Sequence, residues 1–245
     1  MTNSIEVINL SKKYKSKNAV SNINFKIGEN EIVGLLGPNG CGKTTTIGMI
    51  LGLLKPSSGQ VLIKGKNIET NKISLLHMMN FISPYIELPK KLKVKQNLIV
   101  YGKLYNVVDL ENRIEYLSDQ LRLTDLLDKI TGELSSGQKN RVSLAKALIN
   151  DPTVLLLDEP TASLDPETGD FVRTFLENLK KEKKISVLLA SHNMDEVKRL
   201  CGTVLMMKDG SIVNSGTPDH LIKKYGRKNL EEVFLKLSRS VDELC

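Results

Sequence analysis

The hydrophobic period along the chain changes several times, and the changes mark out the elements. IEVINL (5–10) and AVSNINFKI (19–27) alternate apolar with polar residues, the signature of half-buried strands, with a basic turn around Tyr14 between them. EIVGLLG (31–37) is instead a continuous apolar run closed by glycine, which suits a strand buried on both faces. From Lys43 to Leu53 the spacing is helical; a turn follows at 56–59, then a strand, QVLIKG (60–65). The stretch from about Gln96 to Leu148 is almost continuously helical in pattern and is assigned to an inserted helical unit. Strand runs return at TVLLLD (153–158) and ISVLLAS (185–191), each flanked by helical spacing, so the chain is expected to come back to a parallel α/β core. VLMMKDGSIVNSG (204–216) predicts a hairpin turning at Asp209 and Gly210, and an amphipathic helix over Leu230–Leu237 follows a basic turn, KKYGRKN (223–229). There is no internal repeat and no low-complexity segment.

Composition narrows this little. With 245 residues, 40% hydrophobic and 26% charged, the chain reads as an ordinary folded protein. No apolar run approaches the roughly 18–20 residues that span a bilayer, and MTNSIEVINL lacks the basic flank and apolar block of a signal peptide, so the chain is expected to stay in the cytosol. Cys41, Cys201 and Cys245 are odd in number and lack metal-ligand spacing, so reduced thiols are expected. The net charge of +7 is read mainly as a solvated lysine surface; 4% aromatic residues and no tryptophan leave few platforms for bases, and no nucleic-acid partner is expected.

Chemistry enters at GPNGCGKT, Gly37 to Thr44, which matches G-x-x-x-x-G-K-[ST] directly after a strand and at the start of a helix. Gly37, Gly40 and Gly42 let backbone N–H groups converge on phosphate oxygens, Lys43 reaches the β and γ phosphates, and the Thr44 hydroxyl ligates Mg²⁺. Pro38, Asn39, Cys41 and Thr45 complete the nucleotide-binding stretch. Cys41, near a helix N-terminus and Lys43, is either a reactive thiolate or a small filler. The strand TVLLLD ends in Asp158, placed to hold Mg²⁺, with Glu159 beside it as general base for an attacking water. A nucleotide triphosphate and Mg²⁺ are the expected ligands.

LSSGQ, 134–138, resembles the signature sequence of ATP-binding cassette (ABC) proteins, and the other motifs then fall into that family's order over roughly Ile5 to Leu221. GPNGCGKT is similar to its Walker A loop, TVLLLDEP to its Walker B strand, TASLD ending at Asp165 to its D-loop, ASH ending at His192 to its switch histidine, and Tyr14 to the aromatic that stacks on adenine. The resemblance implies a P-loop NTPase (RecA-like) α/β core with an antiparallel β-subdomain and an inserted α-helical subdomain. It places the ATPase domain over 1–225, the helical subdomain at about 86–150 and a helical tail over 226–245. Physically, Ser135 can cap a helix beginning near Ser136, turning backbone N–H groups and its hydroxyl toward an anion. In the family this loop, here Ser135, Ser136, Gly137 and Gln138, completes the ATP site of the opposite subunit, and Glu159, His192 and Lys43 form the catalytic set.

Two positions depart from the family pattern. Tyr85 stands where a glutamine after a mid-chain strand is usual, Gln96 lying too far along to replace it; tyrosine is the poorer metal ligand. Ser136 stands where glycine is usual. The resemblance further implies a homodimer or heterodimer of cassettes and a separate transmembrane permease, so a peripheral place on the cytoplasmic face of the membrane. Similarity to cassettes paired with ABC-2-type permeases points to export, with the segment between Tyr85 and Tyr105 forming the groove for a permease helix. Lys90, Lys91, Lys93 and Lys95 in that segment would also suit an anionic lipid surface. The alternatives are a soluble ABC ATPase of DNA repair, translation or regulation, and a small-molecule kinase with a phosphate loop.

Overall fold

The computed structural model describes residues 3–15, 17–182 and 184–239. Two sheets organise it. The first is antiparallel and is built from β1 (Asn3–Tyr14), β2 (Lys17–Gly28), β4 (Ser58–Ile63) and β5 (Lys66–Asn67), in the order β2-β1-β4-β5. The second has six strands in the order β10-β9-β3-β8-β7-β6, formed by β3 (Ile32–Leu36), β6 (Met79–Ile82), β7 (Val154–Asp158), β8 (Ser186–Ser191), β9 (Thr203–Lys208) and β10 (Ser211–Gly216). All its pairings are parallel except that of β9 with β10.

The unbroken apolar runs of the central strands have a direct structural cause. Alternate residues point to opposite faces of a strand, and both faces of the large sheet are covered. Ile32 and Leu36 of β3, Leu155 and Leu157 of β7, and Val187 and Leu189 of β8 join one core with the helices that follow. Val33 and Leu35, Val154 and Leu156, and Leu188 and Ala190 join a second core with the antiparallel sheet and α1 (Lys43–Ile50).

Several boundaries differ from the sequence reading. SKKY does not turn: β1 runs on through Tyr14, because Lys12, Lys13 and Tyr14 pair with Val20, Asn18 and Lys17. The expected single strand at 60–65 is the first arm of a small hairpin, with Lys64 (φ 49) and Gly65 (φ 75) turning into β5. The helical stretch resolves into α3 (Val94–Leu104), α4 (Leu110–Gln120) and α5 (Ser136–Leu148), with 3₁₀ turns at Thr124–Leu126 and Thr131–Glu133 between α4 and α5; a short α2 (Lys72–Leu76) precedes β6. The hairpin at Asp209 (φ 46) and Gly210 (φ 79) forms as expected, both residues left-handed as its two-residue loop requires. α6 (Pro166–Glu182) and α7 (Met194–Leu200) flank β8. In KKYGRKN, Lys223–Tyr225 finish a helix, α8 (Pro218–Tyr225), and Gly226 caps it in the left-handed region before α9 (Leu230–Arg239). Cys245 and residues 240–244 lie outside the described residues.

Candidate nucleotide site

In open parallel sheets ligands bind beyond the carboxyl ends of the strands. Here consecutive strands β3, β8, β7 and β6 deliver the motif residues to that one edge: the 37–42 loop after β3, His192 after β8, Glu159 after β7 and Tyr85 after β6.

The phosphate loop owes its path to close backbone packing. A Cβ on Gly37 would stand 2.4 Å from the Met207 carbonyl oxygen and 2.5 Å from Cys41 Sγ, and Gly42, at φ 112, would carry one 2.5 Å from the Ala19 carbonyl. Lys43 is buried, its Nζ donating to the carbonyls of Gly37 (2.7 Å) and Pro38 (3.1 Å), so its charge is folded back into the loop. Cys41 is 4% exposed, and burial pushes its thiol up from the ordinary range despite the pull of Lys43. Of the two sequence readings, this burial matches the packed filler; Cys201, likewise buried, is pushed up further by the same cause.

Thr44 and Asp158 meet: the Thr44 hydroxyl donates to Asp158 Oδ2 at 3.0 Å. Asp158 is 1% exposed, and burial raises its pKa, with the Thr44 bond opposing. Two hard oxygen donors side by side, one of them a carboxylate, are the donor chemistry that suits Mg²⁺. Glu159 sits at φ 52, a left-handed conformation costly for a side-chain-bearing residue, secured by its N–H donating to the Ala190 carbonyl at 2.8 Å. His192 Nδ1 lies 2.7 Å from Glu159 Oε1, and the imidazole is largely exposed. A pocket of about 150 Å³ above the loop is bordered by Gly40, Lys43, Thr44, Asp158, Glu159 and Tyr85.

Of the other sequence candidates, Tyr14, Ser135–Gln138 and Asp165 are not gathered into this pocket, whereas Asn39, Thr45 and Tyr85 border it. Tyr14 ends β1 with its ring half exposed and Lys12 Nζ 5.1 Å from the ring centre. Ser135 caps α5: its hydroxyl accepts from the Gln138 N–H at 3.3 Å while Gln138 Oε1 accepts from the Ser135 N–H at 3.0 Å, a reciprocal capping box. Gly137 packs where a Cβ would touch Thr168 at 3.0 Å, and Asn140 Nδ2 donates to the Pro160 carbonyl at 2.7 Å, so α5 is tied to the segment leading into α6. Asp165 accepts from the N–H (2.9 Å) and the hydroxyl (2.7 Å) of Thr168, capping α6, and these bonds lower its pKa. Tyr85 is 82% exposed; Gln96 accepts from the Lys93 N–H at 2.9 Å and is committed to the start of α3. None of Ser135–Gln138 borders the pocket over the phosphate loop of their own chain.

One buried acid beside the Glu159–His192 pair escaped the sequence reading. Glu196 on α7 is fully buried, accepts from the hydroxyls of Thr161 (2.8 Å) and Ser191 (2.7 Å), and has its pKa raised by burial. The available signal was its place on the inward arc of the helix with Val197 and Leu200.

Comparison with known proteins decides the family. The ABC transporter family profile matches residues 20–162. The chain belongs to the ABC transporter family. The choline transport ATP-binding protein OpuBA of Bacillus subtilis is 35% identical over 93% of this chain and 61% of its own length. The bacitracin transport ATP-binding protein BcrA of Bacillus licheniformis is 36% identical over 94% of the chain and 75% of its own. This ABC chain thus spans less than two thirds of the first of these relatives. Among solved structures, an ATP-binding subunit of an ABC transporter superposes with a TM-score of 0.88 at 26% identity, covering 96% of this chain and 99% of that one. The dimeric MJ0796 cassette of a bacterial ABC transporter superposes with a TM-score of 0.80 at 26% identity, covering 87% and 98%. The α/β core with its phosphate loop is that of an ABC ATPase cassette. Among the described residues no helix is long and apolar enough to cross a membrane.

Proposed function

We propose that this chain binds and hydrolyses ATP as the nucleotide-binding subunit of an ABC transporter, two cassettes closing head to tail on ATP to drive a separate permease for export. The observation that carries this reading is the convergence of Lys43, the Thr44–Asp158 contact and the Glu159–His192 pair on one strand edge, while the Ser135-capped helix stands outside that pocket in its own chain. A helix N-terminus favours an anion. A second copy would bring Ser135–Gln138 to the γ-phosphate that the first copy leaves uncovered, and the similar MJ0796 cassette, itself dimeric, supports this pairing.

In this reading the 37–45 loop wraps the phosphates, and Lys43 exchanges its carbonyl partners for β and γ oxygens. Thr44 and Asp158 would hold Mg²⁺, which neutralises phosphate charge. Glu159 takes a proton from the attacking water as its oxygen bonds to the γ-phosphorus and the bond to the ADP oxygen breaks, leaving ADP and phosphate. His192, with Nδ1 on Glu159, orients that carboxylate and turns its other nitrogen toward the γ-phosphate. Tyr14 offers its ring to adenine. Residues 1–225 make up the ATPase domain, 86–150 its helical subdomain and 226–245 a tail. A groove of about 380 Å³ lined by Tyr85, Ile86, Leu88, Ser136, Asn140 and Glu159 adjoins the pocket and is the seat for a permease helix; Tyr85 and Glu159 border both cavities. That contact holds the chain to the cytoplasmic face of the membrane.

Phosphate release measured with Glu159→Gln tests the reading. The variant binds ATP and hydrolyses it on the order of 10²–10⁴-fold more slowly; an undiminished rate refutes Glu159 as base. Capture of a membrane protein by the ATP-bound variant supports the transporter assignment, and recovery of ribosomes or nucleic acid in its place points to a soluble ABC ATPase.

A further inference from the structure

Glu196 takes no part in the chemistry above, yet it is 0% exposed. A buried carboxylate is tolerated only when its oxygens are hydrogen-bonded, and these two are divided between separate loops. Oε1 accepts from Thr161, two residues beyond Glu159, and Oε2 from Ser191, the residue before His192. One side chain therefore bridges the two segments that carry the ends of the 2.7 Å Glu159–His192 pair. Its own position is fixed as well: Asn193 Oδ1 accepts from the N–H groups of Asp195 and Glu196 at 3.1 Å each, and Ser191 Oγ accepts the Asn193 N–H at 3.0 Å.

The loop after β7 needs such a tie. Glu159 (φ 52) and Ser163 (φ 61) are both left-handed without being glycine, a conformation that persists only where the surroundings over-determine it. Backbone bonds from Glu159 N–H to Ala190 and from Ala162 N–H to Glu159 restrain its first turn, and the Thr161–Glu196 bond anchors the segment between the two left-handed residues to α7.

We propose that Glu196 is a positioning residue, a buried latch that holds Glu159 and His192 in register through Thr161 and Ser191. The inference rests on the ATPase reading. It is tested by phosphate release and nucleotide affinity in the full chain carrying Thr161→Val, Ser191→Ala, Glu196→Gln or Glu196→Ala. Thr161→Val and Ser191→Ala each lower kcat on the order of ten- to a hundredfold, the scale of a small misplacement of a reacting group, while KM and the Kd for ATP stay within about twofold. Glu196→Gln, whose amide accepts one hydroxyl bond and donates the other, retains more activity than Glu196→Ala. In a Glu159→Gln background, adding Thr161→Val changes the residual rate by less than about twofold, because the latch acts through a group already removed. Equal losses in both backgrounds, or losses in affinity that match those in kcat, overturn the latch in favour of a general structural role. Wild-type kcat in Thr161→Val and Ser191→Ala beside an inactive Glu159→Gln overturns the latch alone and leaves the ATPase standing; no phosphate release from the wild type overturns both.

Discussion

Replacing Ser135 separates two roles that share one hydroxyl. In a single chain that hydroxyl accepts from the Gln138 N–H at 3.3 Å and caps α5. Alanine removes the bond and costs about 1 kcal/mol, lowering the thermal midpoint by about 2–4 °C for a chain of this size. Aspartate caps a helix as well as serine does, so Ser135→Asp keeps the midpoint within about 1 °C of wild type. In the proposed head-to-tail dimer, however, the new carboxylate would face the γ-phosphate of the other chain. Two like charges about 4 Å apart at an effective dielectric of about 20 repel by roughly 4 kcal/mol, a loss on the order of a thousandfold in the closed, ATP-bound state. Ser135 is exposed in the free chain, so the penalty arises only on closure. The assay pairs differential scanning calorimetry with phosphate release and with light scattering of an ATP-loaded, hydrolysis-deficient form. A Ser135→Asp protein that keeps its fold and also keeps wild-type turnover and ATP-dependent dimerisation refutes the placement of this loop against nucleotide.

Further outcomes follow from single contacts. Gly37→Ala sets a methyl 2.4 Å from the Met207 carbonyl, so it loses about 1–3 kcal/mol in chemical denaturation and most nucleotide binding. Asp158 carries a raised pKa, so its ionised form opposes folding: the stability it allows is fully present below the unfolded-state pKa and lost as pH rises through the folded value. Asp158→Asn in EDTA therefore raises the thermal midpoint at pH 7, and the gap to wild type narrows as pH falls into the ordinary carboxylate range. Cys41, buried with a raised pKa, reacts with iodoacetamide more slowly than a free cysteine at pH 8, as followed by mass spectrometry; a faster reaction contradicts the filler assignment.

Much of this was legible in the sequence because the decisive signals are local. The phosphate loop needs its residues in one order, and a strand covered on both faces needs an unbroken apolar run, so Ile32–Leu36, Val154–Asp158 and Ser186–Ser191 stood out. Elements whose identity depends on distant partners were less visible. SKKY is too basic to suggest a strand, and it extends β1 only because β2 lies alongside; β6 is four residues long with Asn80 among them and gains strand identity by pairing with β7. Glu196 reads as one more surface acid in MDEVKRL until Thr161, 35 residues earlier, and Ser191 close on its oxygens. The readings of Tyr14 and of Ser135–Gln138 came from family resemblance, since their proposed partners are a nucleotide and a second chain.

Mixing two inactive variants addresses the shared site directly. Lys43→Ala removes the phosphate-loop half, and Ser135→Asp removes the opposing half. In random pairing about half the dimers are mixed, each with one site built from two intact halves, so about a quarter of all sites are restored. Phosphate release from the mixture rises well above that of either variant alone and falls again on dilution. A mixture that stays inactive at every ratio and concentration, with both variants folded, contradicts a nucleotide held between two chains.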